Sequence, residues 1–442
     1  EKAHESRCSP LPGDWEGGWE RGTEGVRVTL AEALERARAT SPRLDQLEAL
    51  RQAAVAGLAG ARAERMPRVD LAAGYTRNSD VPEFTLNLPG IGSRTLFPNI
   101  PDNWRAHAGL SLPLWTAGRI EGGIAAAGSQ LEAAGLDVSG ARSDLLLETR
   151  NAYWSLVTAR ASARVLAEAL ESYEAHLTDA RNRFDFGVAA RNEILSVQVE
   201  RDRAELSRLA AENAAEVANA NLVRLTGLPP GTRIDPVEPL EDLNAPATPE
   251  EEVEALVVTA EEVRPELAAL QQRIEAARAA VGIRRAGTRP QAGLSLGYDY
   301  ARPNPRILPP RDEFEGSWSA GVSVSLNAFD GGRTAAAVAQ AEAQVAALES
   351  QLEEARQGLR LEVTARLFEL RNARATLAVT NGTIEAAREN LRVARDRYRE
   401  GVIPSAELLD AETALLRAGL DQTDAATRIQ IALARLERAA GR

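Results

Sequence analysis

The sequence is 442 residues long and acidic, with 52 Lys+Arg against 64 Asp+Glu and a formal net charge of −12. That balance excludes the basic face expected of a nucleic-acid partner. No window holds about 18 uninterrupted apolar residues, which excludes a membrane-spanning helix; a membrane β-barrel stays open, because its strands signal weakly one by one.

Residues 1–28, rich in Gly and Pro with Trp15 and Trp19, read as an N-terminal arm. Lys2 is the only lysine, so nearly all positive charge is guanidinium. The single cysteine, Cys8, rules out an internal disulfide. Glu5-Ser6-Arg7 before it lacks the small, apolar residues that precede a lipidated cysteine, and acylation is not expected. The polar start is unlike a secretory leader, implying that one has been trimmed or never existed.

Leu30 to Arg65 reads as helix, interrupted at Ser41-Pro42, where Ser41 can cap a new helix with proline at its first position. Val69, Leu71, Ala73 and Tyr75 then alternate with the period of a half-buried strand, about 68–77. Thr76 to Trp104 follows as a loop. A second alternation, Ala106, Ala108, Leu110, Leu112 and Leu114, predicts a strand at about 105–115 with His107, Gly109 and Ser111 on its other face. From Gly118 to about Arg183 the chain has no proline and is rich in Ala, Glu, Leu and Arg, predicting one helix about 98 Å long at 1.5 Å per residue. Gly187 breaks it, and a further helix runs from about Asn192 to Thr226. The linker 228–247 is rich in Pro, Asp and Glu, and Thr248-Pro249-Glu250-Glu251 reads as a capping box.

The chain then repeats itself. An offset of 214 pairs Arg160-Ala161 with Arg374-Ala375, Arg183-Phe184 with Arg397-Tyr398, Gly187-Val188 with Gly401-Val402, and Glu193-Ile194-Leu195 with Glu407-Leu408-Leu409. Upstream, an offset of 223 pairs Pro42 with Pro265 and Gly74-Tyr75 with Gly297-Tyr298. The first repeat thus spans 29–227 and the second 248–441, with strands at about 291–300 and 317–326 and a long helical hairpin over 332–438. Two halves that build one object are expected, not two independent domains.

Ten of the 19 aromatic residues fall within 75–115 and 298–329, about one-sixth of the chain. Aromatics at strand ends suit the interfacial girdle of a membrane barrel, although aromatics also favour strands generally. Four strands of about ten residues can cross a bilayer but cannot close a barrel, so several copies are needed; three give twelve strands. A soluble coiled-coil scaffold with two small β modules is the alternative.

In order and spacing these landmarks resemble the TolC-type outer membrane efflux protein family. The residues carrying the resemblance are Val28-Thr29-Leu30-Ala31-Glu32-Ala33-Leu34 with Ser41-Pro42, Leu225-Thr226-Gly227, Leu326-Asn327-Ala328-Phe329-Asp330-Gly331-Gly332-Arg333, and Arg397-Tyr398-Arg399-Glu400-Gly401-Val402 with Glu407-Leu408-Leu409-Asp410. The resemblance implies a mixed, mainly α fold: a homotrimeric α-helical barrel (tunnel) joined to a 12-stranded transmembrane β-barrel. It places the protein in the outer membrane of a Gram-negative-type cell, extending into the periplasm. The implied partners are outer membrane lipid, a periplasmic adaptor (membrane fusion) protein and an inner-membrane pump of RND or ABC type, for efflux or type I secretion without a cofactor.

Glu407 and Asp410, three apart, share a helix face. Where the resemblance holds, they ring the periplasmic entrance as a cation-attracting gate; otherwise they are a solvated acidic face. It also implies an inter-hairpin lock using Glu193 and Tyr398, although Ile403 stands where the family's arginine is expected. Gly187-Val188 and Gly401-Val402 mark turns that, by resemblance, meet the adaptor. His4, His107 and His176 have no metal-ligand spacing and no pairing with Cys8, and no Gly-rich loop has phosphate-binding spacing, so no enzyme or metal site is expected. Asp330-Gly331-Gly332-Arg333, at a helix start, reads as a structural turn in preference to an anion site.

Overall fold

The computed structural model describes residues 25–88, 90, 92–238 and 252–442. Most of the N-terminal arm, with Cys8, His4, Trp15 and Trp19, lies outside the described residues, as do the end of the linker and the Thr248-Pro249-Glu250-Glu251 box. In chain order the elements are β1 (Val26–Val28), α1 (Leu30–Thr40), α2 (Pro42–Ala63), β2 (Arg68–Arg77), β3 (Phe84–Leu88), β4 (Gly92–Phe97), β5 (Asp102–Trp115), α3 (Arg119–Asp185), α4 (Arg191–Thr226), β6 (Ile234–Pro236), α5 (Val253–Val263), α6 (Pro265–Arg285), β7 (Gln291–Arg302), β8 (Glu315–Ser325), α7 (Arg333–Arg399) and α8 (Ser405–Ala439). The described residues divide into two compact units, one from 25–42, 141–238, 252–260 and 360–442, the other from the described residues of 43–140 and 261–359.

The second unit holds an antiparallel sheet of order β2-β5-β7-β8. Its register decides its character. Val69 opposes Leu110, which opposes Leu296, which opposes Ala320; Leu71, Ala108, Tyr298 and Trp318 form the next row. Because side chains alternate along each strand, matching these rows puts every apolar set on one face. That face lies open in the single chain: Leu71 is 80% exposed, Trp318 74% and Val324 71%. The opposite face carries rows of small polar residues, among them Ser111, Ser295 and Gly321. Pro113 sits in β5 beyond Ser111, the last residue paired with β2, where its missing N–H interrupts no ladder on that side. The segment 76–104, expected to be loop, contains a hairpin, β3 with β4; a register shift at Phe84/Thr85 interrupts its alternation.

Strand gives way to helix twice in the same manner. Ala117 and Gly118 (φ 53° and 91°) lead into α3, and Gly331 and Gly332 (φ 66° and 86°) lead into α7. Asp330 Oδ2 accepts from Thr334 N at 2.8 Å and Oδ1 from Gly332 N at 3.1 Å, so the protein's own carboxylate occupies this helix start, the turn expected there. Beyond the sheet, guanidinium–carboxylate pairs link neighbouring helices: Arg273 with Asp137 at 2.6 Å, Arg285 with Glu342 at 2.5 Å and Arg278 with Glu349 at 2.7 Å.

In the first unit, Thr29 caps α1 by accepting from Glu32 N at 3.2 Å. Val26–Val28, read from the sequence as the end of a loose arm, instead forms β1, paired in parallel with β6. Neither three-residue strand offers enough alternation to be seen in sequence. Asn219 holds β6 in place, accepting from Ile234 N at 2.8 Å and donating to Thr232 O at 2.8 Å. Arg438 on α8 grips Asp144 on α3 at 2.8 Å, and Arg435 on α8 meets Glu369 on α7 at 2.6 Å. Among the described residues, no helix is long and apolar enough to cross a membrane.

Candidate functional site: the hairpin tips

Helices α3 and α4 form one hairpin and α7 and α8 a second, and their tips are built alike. At the first, Gly187 (φ 75°) ends α3, its N–H donating to Phe184 O at 2.8 Å and the N–H of Val188 to Arg183 O at 2.9 Å. At the second, Gly401 (φ 74°) donates to Tyr398 O at 3.0 Å and Val402 to Arg397 O at 2.9 Å. This paired bonding is a Schellman motif, and the left-handed glycine it needs explains both turns. It leaves apolar side chains in water: Val188 is 78% exposed and Val402 60%, with Phe186 at 85% beside them.

Glu407 and Asp410 lie on the first turns of α8, both exposed. Neither forms an ion pair among the described residues. Their neighbours Leu408 and Leu409 turn inward, Leu408 into a cluster with Tyr398 and Ile403, Leu409 into one with Tyr173, Leu177 and Val197. The two carboxylates are thus carried on a helix anchored from behind. Ile403 belongs to that anchor, so the position at which the family pattern expects an arginine is apolar core.

The structure does not join Glu193 to Tyr398 by a hydrogen bond. Glu193 is half-buried at the start of α4, and the Tyr398 hydroxyl is buried with no hydrogen-bond partner. Burial pushes that hydroxyl's pKa up; the Arg183 charge and the nearby Ser405 hydroxyl oppose this, while the Asp179 and Glu193 carboxylates add to it. What connects the hairpins here is Arg183. Its guanidinium lies 4.0 Å from the centre of the Tyr398 ring, and its Nη2 donates to Tyr398 O at 2.7 Å. Arg183 stands on α3, in the hairpin opposite to the one that carries Ile403.

A second connection was not foreseen from sequence. His176 on α3 donates through Nδ1 to Glu412 Oε2 at 2.9 Å, and its Nε2 meets Ser405 Oγ at 2.9 Å, both on α8. Ser172 Oγ donates to the other oxygen of Glu412 at 2.8 Å, and Arg395 on α7 donates to Ser172 Oγ at 3.1 Å. The His176 ring also meets Tyr398 edge-on, centroids 5.3 Å apart. The order Ser405–His176–Glu412 is that of a hydrolase triad, but Ser405 is only 2% exposed at the buried start of α8, so the chain of bonds ties helices together instead of meeting a substrate. One signal lay in the duplication. At the offset of 214, His176, Ser405 and Glu412 correspond to Asn390, Arg191 and Gln198, so each departs from its repeat partner. Among the described residues, no group of His, Cys, Asp and Glu is arranged to hold a metal.

Comparisons with known proteins bear on both units. The chain is 29% identical over 399 residues to Protein CyaE of Bordetella pertussis, covering 88% of this chain and 79% of that protein. It is 23% identical over 418 residues to Outer membrane protein TolC of Vibrio cholerae, covering 93% and 90%. Its fold matches the crystal structure of the outer membrane protein VceC from Vibrio cholerae with a TM-score of 0.77 at 22% identity, over 93% of this chain and 96% of that one. The sequence model of the outer membrane efflux proteins matches residues 33–228 and again 256–442. A match that takes in both hairpins and all four strands of the main sheet makes this chain a member of the outer membrane efflux protein family, a channel of the outer membrane.

Proposed function

We propose that the chain is the passive outer membrane duct of a tripartite efflux or export system. Three copies close their four-stranded sheets into a twelve-stranded barrel, and their helical hairpins line a tunnel in the periplasm. A periplasmic adaptor and an inner-membrane pump, of RND or ABC type, deliver the cargo. The observation that carries this reading is the main sheet. Its apolar rows are in register across four strands, they stand open to the surroundings, and the outer edges of β2 and β8 have no partner strand among the described residues. A soluble protein rarely leaves so large an apolar patch uncovered, and an open sheet edge is not tolerated in lipid. Lipid against the apolar face and a second copy against each edge satisfy both demands. The scaffold alternative supplies neither cover.

To test it, single cysteines at Leu71 on β2 and Val322 on β8, with Cys8 replaced by serine, are joined by a short bifunctional maleimide in native membranes. A covalent ladder ending at three chains, and single-channel currents from the purified protein in planar bilayers, are expected. A ladder stopping at one chain, with no current, would sink the proposal.

Within this duct, Glu407 and Asp410 form the carboxylate belt of the periplasmic entrance, and Arg183–Tyr398 with His176–Glu412 hold the hairpins closed behind it. The exposed tips at Gly187-Val188 and Gly401-Val402 receive the adaptor. Aspartate at both Gly401 and Val402 should abolish adaptor-dependent efflux while the purified pore still conducts; intact efflux would remove the docking role.

A further inference from the structure

On the polar face of the sheet, successive cross-strand rows carry little bulk on β5, β7 and β8: Ser111–Ser295–Gly321, opposite Arg68 of β2, is followed by Gly109–Gly297–Ser319, opposite Asp70. The next row breaks the pattern: Ala72, His107, Asp299 and Ser317 lie side by side on β2, β5, β7 and β8. His107 Nδ1 donates to Asp299 Oδ1 at 2.9 Å, and Arg105, two residues along β5, reaches the same oxygen at 2.7 Å. The row below is cut to fit the imidazole. A Cβ on Gly109 would fall 2.9 Å from His107 Nε2, and one on Gly297 3.3 Å from its Cε1. Any side chain at Gly109 would displace the ring. Above the ring is a cavity of about 580 Å³, walled by Thr76, Asn103 and Arg105 and by Pro303, Asn304 and Pro305 of the β7–β8 loop. Asn304 fastens that loop, donating to Glu315 O at 2.8 Å and Ser317 Oγ at 3.1 Å.

The charged groups nearest His107 are paired. Arg105 and Asp299 neutralise each other. On β2, Asp70 is held by Arg68 at 2.9 Å, and on β8, Glu315 lies 3.7 Å from Arg311. The loop residues lining the cavity are uncharged. Histidine is the side chain whose charge changes between about pH 5 and pH 8, and His107 is the one histidine in these rows.

We propose that the His107–Asp299–Arg105 row is a charge-selective belt inside the β-barrel, separate from the carboxylates of the periplasmic entrance, that admits cations and anions alike when His107 is neutral and favours anionic cargo when His107 is protonated. This rests on the barrel reading above, because only there does the polar face line a pore. The test is the reversal potential of single channels under a KCl gradient at pH 8 and at pH 5. Other parts of the channel also contribute to any pH effect, so the informative quantity is the part of it that His107→Gln removes. Chloride-over-potassium preference in the native channel should rise by roughly twofold or more on acidification, and His107→Gln should lose most of that rise at unchanged conductance. Asp299→Asn, which leaves Arg105 unpaired, should prefer anions at both pH values. A conducting channel whose selectivity responds to pH equally with and without His107 overturns the belt and leaves the duct intact; a protein that forms no channel overturns both.

Discussion

At the scale of single residues, two copies of one design serve as controls for each other. Ala117 is the only non-glycine residue with positive φ among those described, and its counterpart in the repeat is Gly331. A left-handed alanine is strained by about 1 kcal/mol, and relief is partly offset by the greater freedom glycine gives the unfolded chain. Ala117→Gly should therefore raise stability slightly, by up to about 0.5 kcal/mol, read from the chaotrope midpoint of the detergent-solubilised protein. A loss of more than 1 kcal/mol on that scale would show that the turn is not strained. Tyr398 offers a sharper contrast. Its hydroxyl is buried and unpartnered, so Tyr398→Phe should be neutral or slightly stabilising and leave the closed state closed. His176→Ala leaves the buried Glu412 with only Ser172 at 2.8 Å and Arg395 at 4.0 Å, and should cost about 2 kcal/mol while raising leak current. If Tyr398→Phe opens the pore instead, the hydroxyl finds its partner in the assembled channel. Alkali should act in the same direction as His176→Ala. A phenol whose pKa is raised by folding holds its proton more tightly in the native state, so its contribution is intact below about pH 10 and fades as pH climbs toward the raised value.

At the scale of elements, legibility tracked periodicity. The helices α3 and α7 and the strands β2, β5, β7 and β8 were readable because their patterns persist over ten residues or more. β1, β6 and the β3–β4 hairpin were not, being short or interrupted by a register shift. The same divide separates the site residues. Glycines at the tips and the Glu407–Asp410 spacing depend on local geometry, which sequence records. The contacts of Arg183 with Tyr398, of His176 with Glu412 and of His107 with Asp299 span 215, 236 and 192 residues, and nothing local announces them. The entrance carboxylates can be tested on the element that carries them. Replacing Glu407 and Asp410 together with alanine leaves the anchoring face of α8, Leu408 and Leu409, untouched. Single-channel conductance should rise by at least about twofold and block by divalent cations should weaken. Unchanged currents would return the pair to an ordinary solvated face.

At the scale of the whole molecule, one chain contains all the helix-to-helix ties described, yet its main sheet is unfinished. The guanidinium–carboxylate pairs and the buried His176–Glu412 contact are satisfied without any neighbour. The apolar face and the edges of β2 and β8 are not. Under the proposed function stability is divided: the helical parts can form in an isolated subunit, whereas the sheet depends on lipid and on other copies. The duplication accounts for this economy, since each half supplies two strands and one hairpin and neither half alone presents a usable surface.

A newly exported subunit meets the periplasm with two ribbons of bare amides and a greasy panel, before any bilayer shields them. In the proposed twelve-stranded barrel two siblings supply only eight of the strands and leave a raw margin at each end, so a two-membered assembly offers no resting place. Closure should consequently be abrupt, with subunit abundance setting its pace, and stragglers should be the preferred prey of envelope chaperones and proteases.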